Sequence, residues 1–456
     1  MAAFDLALSC VRNGTDDFLL PQRINQLATE GGHPFRRTTL DPGNTFRLFA
    51  RQIAEGNIAC ASVHHLTDTT FSDTAWCQAR KRLPMELIQR VHQSLIDDTR
   101  LELDQLGNAG DEQYRWRGHR LHVVDGTTDS MPDSPPLRRH YGVPGSRRTG
   151  LGYPTSHLLL MMDHRSGLLI DCHDSPVNTH DASVVCQTHQ QLQPGDVLLG
   201  DDAFSSYVHL ALLQQAKLHA IMPTHHRQIV NFTPNRKHAP LRNKRVQATQ
   251  PRSRWIRSLG HEDQLVEYFK PRERPRWMDP FRWEQLPRSI IVREIRRTVR
   301  RNGFRPITVT IVTTLLDPTA YPADELIELR LTRWMVETNI RHLKITLGMD
   351  RLKCKTVEGV AKERLMFLLV YNLIRRCMLQ AARTQHVNVN RLSFADTLAW
   401  LRHGDIASVP RIKINPERPG RLQPRLLKCS RDKFSYMTAP RPELLMQLRA
   451  IYRDTA

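Results

Sequence analysis

Two short apolar runs, each ending in an aspartate, constrain the fold of this chain most strongly. Residues 121–125 end in Asp125 and are followed by Gly126, and residues 197–201 end in Asp201 and are followed by Asp202. Short runs rich in valine and leucine, with turn residues after them, predict buried strands. Because α/β sheets place their sites at the exits of such strands, Asp125 and Asp201 are candidate site residues.

A third carboxylate comes from a predicted helix over residues 329–344. This segment places Arg333, Glu337 and Lys344 at offsets of four and seven, which puts the three side chains on one helical face. One carboxylate is then flanked by two cations, an arrangement that suits a metal ion and a phosphate. The alternative is an ordinary amphipathic helix with an Arg–Glu pair on a solvated face, worth about 0.2–0.5 kcal/mol.

Two strand-end aspartates and a helix glutamate are the ligands that a two-metal phosphoryl-transfer site needs. In such a site one cation generates the attacking hydroxide and the other stabilises the leaving oxygen. Hard oxygen ligands select Mg²⁺ or Mn²⁺. The sequence therefore predicts metal-dependent phosphoryl transfer by Asp125, Asp201 and Glu337.

The same residues resemble a known family, the DDE transposases of bacterial insertion sequences, in the group marked by a Tyr-x2-Arg-x3-Glu-x6-Lys signature. Arg333, Glu337 and Lys344 match its last three members, and Arg330 stands in place of the tyrosine. The group with this signature is the insertion sequence family four type. Further resemblance covers nearly the whole chain, in residues 71–84, 124–127, 200–204, 312–318 and 425–428.

The resemblance implies an α/β fold with an RNase H-like catalytic core, interrupted by a β-rich insertion. It implies a transposase that binds the terminal inverted repeats of its own element in double-stranded DNA, cuts the ends and joins the 3′ hydroxyls to target DNA. We expect a homodimer in the synaptic complex. Asp125, Asp201 and Glu337 would hold two Mg²⁺ ions, with Mn²⁺ as a substitute. Arg333 and Lys344 would bind phosphates.

Two positions need a choice. The family places its second aspartate directly after the strand, so Asp201 is preferred to Asp202. At the signature tyrosine, Arg330 is predicted to contact a terminal phosphate, the alternative being a surface charge. Two other functions stay open: an RNase H-like nuclease without strand transfer, and a non-catalytic DNA-binding descendant.

Composition agrees with a DNA partner. The 66 Lys and Arg residues against 46 Asp and Glu give a net charge of +20, which attracts polyanions, although a basic ribosome-associated or membrane-surface protein would share it. The eight cysteines form no C-x-x-C pair, which predicts reduced thiols in the cytoplasm. The longest strongly apolar run, residues 365–374, is too short to span a bilayer. We expect a cytoplasmic protein that is nucleoid-associated when bound to DNA.

Pattern shifts along the chain predict five regions: 1–115, a helical N-terminal DNA-binding region; 116–223, the first part of the core; 224–306, the insertion; 307–385, the second part of the core; and 386–456, a basic C-terminal region. Helices are predicted over 45–55, 74–81 and 85–106. Strands are predicted at 121–125, 157–163, 168–173, 197–201 and 218–223, with helices at 181–191 and 207–217.

The insertion is dense in arginine, proline and tryptophan. Its arginines are predicted to contact the DNA backbone, and a turn is predicted at residues 301–303. Its tryptophans would either stack on a base turned out of the duplex or pack the core of a β domain, and packing is favoured. These residues are Arg293, Arg296, Arg297, Arg300 and Arg301, with Trp255, Trp277 and Trp283.

Overall fold

A computed structural model of the chain describes residues 3–9, 20–108, 114–144, 152–179, 181–239, 250–300, 306–404, 411–415, 443 and 446. Met1–Arg297 and Thr310–Pro416 form one compact unit, and Thr298–Val309 with Glu417–Ala456 form a second. The site residues lie in the first unit. The predicted turn at 301–303, the motif at 425–428 and most of the basic C-terminal region lie outside the described residues.

The N-terminal part is helical, as predicted. The helices of this part are α1 (Ala3–Ser9), α2 (Pro21–Glu30), α3 (Pro42–Ala54), α4 (Asp73–Arg82) and α5 (Met85–Asn108). The Asp41 carboxylate accepts the Asn44 N–H at the start of α3, and the Ser72 hydroxyl does the same for Ala75 in α4. Such caps satisfy backbone donors that a helix leaves free at its start. The sequence patterns did not predict α1 and α2.

The described residues include nine strands in one mixed sheet, in the order β3-β2-β1-β4-β5-β9-β8-β7-β6. The first three strands are antiparallel, β4 and β5 run parallel to β1, and β9 is antiparallel to β5. Strands β6, β7 and β8 come from the region predicted as an insertion. The bounds are β1 (Leu121–Ser130), β2 (Thr155–Asp163), β3 (Leu169–Pro176), β4 (Val197–Leu199), β5 (His219–Pro223), β6 (Arg254–Gly260), β7 (Asp263–Phe269), β8 (Ser289–Val299) and β9 (Ile307–Thr313).

Strand β1 is longer than the predicted 121–125, so Asp125 lies inside it. Pairing with β4 ends at Val123 and Leu199, whereas pairing with β2 continues to Ser130. Strand β2 therefore pairs with the polar second half of β1, which extends beyond the last paired residue of β4. Asp125 lies in this second half and pairs with Leu160 of β2.

The remaining helices are α6 (Pro135–Tyr141), α7 (Asp181–Thr188), α8 (Tyr207–Gln215), α9 (Pro280–Gln285), α10 (Ala323–Thr332), α11 (Met335–Arg341), α12 (Val357–Gln385) and α13 (Phe394–His403). Helix α12 is long and apolar enough to cross a membrane by composition, but 89% of its apolar window is buried inside the protein. It is a core helix. Its Asn372 side chain accepts the Leu169 N–H at 2.9 Å and donates to the Leu169 carbonyl at 2.8 Å, which explains an asparagine in an apolar run.

Candidate active site

Asp125 lies in a partly buried position at the centre of the site. Its Oδ2 accepts a hydrogen bond from Arg333 Nη1 at 2.9 Å, and its Oδ1 accepts the Gly126 N–H at 2.9 Å. Burial raises the pKa of Asp125 above its ordinary value; the Arg333 charge opposes this, and the Asp201 charge adds to it. The two aspartates are thus close enough to repel each other electrostatically.

Asp201 follows β4 after a single glycine. A Cβ at Gly200 would lie 2.9 Å from the Phe204 ring, so the close approach of the chain requires glycine there. Asp201 Oδ1 accepts the Asp202 N–H at 2.7 Å, which begins a short 3₁₀ turn over Asp202–Phe204. Asp202 instead turns to His226, whose Nδ1 lies 3.3 Å from its Oδ2. This geometry favours Asp201 over Asp202 as the partner of Asp125.

The helix predicted over residues 329–344 is not regular, and this part of the prediction is wrong. Helix α10 ends at Thr332, α11 begins at Met335, and His342–Thr346 form a π-helical turn. The dihedral angles of Arg333 and Trp334 stay helical, but the N–H groups of Val336 and Glu337 bond three residues back instead of four. The three-residue hydrogen bonds at Val336 and Glu337 and the π-helical turn at His342–Thr346 change which side chains share a helical face.

Arg333 nevertheless joins two of the three predicted carboxylates. It is 7% exposed, and its Nη2 lies 3.6 Å from Glu337 Oε1 while Nη1 binds Asp125. The Glu337 side chain is 66% exposed, so it faces solvent. Arg333 therefore supplies positive charge between carboxylates that would otherwise repel each other.

Lys344 and Arg330 flank this group. Lys344 Nζ donates to Thr127 Oγ1 at 3.2 Å, two residues beyond Asp125 on β1. Arg330 is half-buried, and within the described part of the chain its Nε has no hydrogen-bond partner. Burial and the Arg333 charge lower the pKa of Arg330, while Asp201, Asp125 and Glu337 raise it, so the guanidinium lies among the site carboxylates.

The donor set fits a hard divalent cation in its chemistry, because all three side chains are carboxylates. Within the described residues, however, no group of three or more His, Cys, Asp or Glu side chains is gathered closely enough to hold an ion. Arg333 holds the positive charge between Asp125 and Glu337 instead.

Comparison with known proteins identifies the family. The model of the transposase DDE domain matches residues 116–373, which contain every site residue named above. The chain belongs to the DDE transposase family. Transposase InsG for insertion sequence element IS4 of Escherichia coli (strain K12) is 27% identical over 397 residues, covering 81% of this chain and 78% of that one. The predicted resemblance to insertion-sequence transposases of this type is confirmed, and the transposase is an enzyme.

Likeness to solved structures is weak. A piggyBac transposase synaptic complex with hairpin DNA has a TM-score of 0.39 at 11% identity, over 88% of this chain and 78% of that chain. A pre-cleavage Mos1 transpososome has a TM-score of 0.16 at 14% identity, over 41% and 59%.

The insertion arginines do not all serve as the sequence predicted. Arg293 is fully buried on β8, forms an ion pair with Asp263 and donates to the Tyr321 carbonyl at 2.7 Å, so its prediction as a DNA contact is wrong. Arg296 forms an ion pair with Glu262, and Arg297 forms one with Asp324. A buried arginine is stable only when paired, and Asp263 supplies that pair. Arg300 is exposed, and Arg301 lies outside the described residues.

The insertion tryptophans follow the packing alternative where the structure decides. Trp283 is 8% exposed in the hydrophobic core with the Lys270 ammonium 4.7 Å from its ring, and Trp277 packs against that core. A large exposed aromatic lies elsewhere: Trp334, between α10 and α11, is 57% exposed beside Arg333. Sequence reasoning missed it because a tryptophan inside a helical pattern is usually a core residue.

Proposed function

We propose that this transposase binds the terminal inverted repeats of its own insertion sequence, cleaves the DNA ends and transfers the freed 3′ hydroxyls to target DNA. The observation that carries the proposal is the single guanidinium of Arg333 between Asp125 and Glu337, with the Asp201 charge close by. The strand order supports an RNase H-like core, in which three antiparallel strands precede two parallel ones.

Asp125, Asp201 and Glu337 would hold two Mg²⁺ ions, and Mn²⁺ would substitute. When bound, the ions activate the attacking oxygen and stabilise the leaving oxygen. The burial that disfavours charge on Asp125 also favours any cation that neutralises it.

The basic residues would hold the DNA backbone. Arg333 would present a bidentate fork to a phosphate near the scissile bond, and Lys344, beside Thr127 on β1, would present a point charge. Arg330, whose Nε has no hydrogen-bond partner among the described residues, would take a terminal phosphate in the role of the signature tyrosine. In the first step water would attack the scissile phosphorus and the P–O3′ bond would break, which frees the 3′ hydroxyl. In the second step that hydroxyl would attack a phosphorus of the target DNA, and the target P–O3′ bond would break. One site serves both steps because each is an in-line displacement at phosphorus.

The rest of the chain would bring the DNA ends to this site. The helical region 1–115 would recognise the repeats, and the core regions 116–223 and 307–385 would carry the chemistry. The insertion 224–306 and the basic region 386–456 would add contacts to the DNA backbone. Two copies would pair two ends in a synaptic complex on the nucleoid in the bacterial cytoplasm.

A direct test uses the purified protein, Mg²⁺ and duplexes carrying the repeats that flank its coding region. The proposal expects cleavage at the repeat ends and joined products on a target plasmid. Cleavage without joined products would mean a nuclease, and binding without cleavage would mean a non-catalytic descendant.

A further inference from the structure

A pair of buried histidines lies behind the turn that carries Asp201. His209, on α8, is 1% exposed, and its Nδ1 lies 2.7 Å from the carbonyl oxygen of Phe204. Its other ring nitrogen, Nε2, lies 2.8 Å from Nε2 of the half-buried His189. The mechanism proposed above uses neither histidine.

Hydrogen-bond chemistry fixes the protons of this pair. A carbonyl oxygen only accepts, so His209 Nδ1 carries a proton, and in a neutral ring its Nε2 then presents a lone pair. With both rings neutral, His189 Nε2 donates to His209 Nε2. Burial lowers the pKa of His209 to about 4 and that of His189 to about 3, which agrees with two neutral rings. The pair is a directional chain that ends on the Phe204 carbonyl.

Phe204 closes the turn around Asp201. Its N–H donates to the Asp201 carbonyl at 3.1 Å, while the Asp202 N–H donates to the Asp201 side chain at 2.7 Å. The Phe204 ring is buried at 1% exposure and fills the space that Gly200 leaves. The residue whose carbonyl oxygen bonds His209 is thus also the residue whose N–H closes the turn on the Asp201 carbonyl.

We infer that His209 is a positioning residue for Asp201, acting through the Phe204 carbonyl with its tautomer set by His189. This inference rests on the proposed role of Asp201 as a metal ligand. A displacement of about 1 Å at a reacting group can lower a rate about 100-fold, so one lost hydrogen bond at this turn is enough to matter.

Two substitutions of His209 separate positioning from packing. His209→Asn keeps a donor at the place of Nδ1 but removes half of the ring, whereas His209→Leu fills the apolar space without a donor. We expect His209→Asn to cleave within about threefold of the parent despite a lowered Tm. His209→Leu should cleave at least about tenfold more slowly at saturating DNA. The affinity of His209→Leu for repeat ends should not change. Binding of Mn²⁺ to the complex of His209→Leu with DNA should weaken, as followed by electron paramagnetic resonance.

His92→Leu is the matched control, because His92 is a buried neutral histidine that bonds Asn372 and not the Asp201 turn. It should lower Tm and leave the rate and Mn²⁺ binding unchanged. Rates that follow Tm across the three variants would overturn the positioning role. Should His209→Leu fail to fold, His189→Leu takes its place, and a rate equal to that of His92→Leu would overturn the inference. A parent protein that cleaves no repeat end would instead overturn the proposed function.

Discussion

We expect the charge on Asp125 to lower the stability of the metal-free protein at neutral pH. Burial, with the nearby Asp201, raises the pKa of Asp125 although Arg333 opposes the change. A carboxyl whose pKa is higher in the folded chain binds its proton more tightly there. Ionisation at pH 7 therefore costs folding free energy. Asp125→Asn removes the charge, keeps the volume, and leaves an amide oxygen that still accepts from Arg333.

We therefore expect Asp125→Asn to be inactive yet at least as stable as the parent without metal. The gain should be on the order of 1 kcal/mol, the usual size for relieving one unfavourable charge. In a chain of this length that is about 1–2 °C in Tm. Added Mg²⁺ should reverse the order, because a tenfold excess over Kd stabilises the parent by about 1.4 kcal/mol and the variant by less.

Differential scanning calorimetry with and without Mg²⁺ measures both effects, and Asp202→Asn next to the site is the matched control. That control should keep its Mg²⁺ response. A metal-free Asp125→Asn protein that is about 3 kcal/mol less stable would mean that the Arg333 ion pair outweighs burial. Equal Mg²⁺ responses in parent and variant would remove Asp125 from the metal ligands.

Four further outcomes follow from the structure. Lys344→Ala should slow strand transfer and reduce the salt slope of end binding by about 1, because one phosphate contact is lost; a salt titration of binding measures this. Arg330→Tyr should retain cleavage of a pre-nicked end whereas Arg330→Ala loses it more steeply at high salt, and equal rates at every salt concentration would leave Arg330 a surface charge. Gly167→Ala should destabilise the fold by about 2–4 kcal/mol in chemical denaturation, since Gly167 has a φ of 69° and an added Cβ would overlap the Arg375 guanidinium. Burial lowers the pKa of His92 to about 4 from its unfolded value of about 6.5, so between pH 7 and pH 4 the parent should lose up to about 3 kcal/mol more stability than His92→Leu; equal losses in the two proteins would contradict it.

Local patterns predicted the centre of the fold well. The valine- and leucine-rich runs before Asp125 and Asp201 form the strands β1 and β4, which lie side by side and parallel. Such strands can be recognised in a sequence because a strand that is buried on both faces is apolar at nearly every position. The spacing of Arg333 and Glu337 likewise survives, since an interaction four residues along a helical path needs little help from the rest of the chain.

The sequence did not predict structural features that depend on residues far away along the chain. The polar second half of β1 is a strand because β2 pairs with it. The helix break after Thr332 is not marked by a glycine or a proline in the sequence. It occurs where Arg333 donates a hydrogen bond to Asp125. Arg293 was assigned to DNA because its partner, Asp263, lies 30 residues away on another strand.

The most direct test of the proposed active site measures Mg²⁺-dependent cleavage of a repeat-end duplex by four amide variants, with end binding followed in parallel. Asp125→Asn, Asp201→Asn and Glu337→Gln should bind the end nearly as tightly as the parent and cleave none of it, because each loses the charge of a metal ligand while keeping its volume. Asp202→Asn should cleave. Normal cleavage by the Asp201 variant together with an inactive Asp202 variant would contradict the assignment of the second ligand, and cleavage by all four would contradict the three-carboxylate site itself.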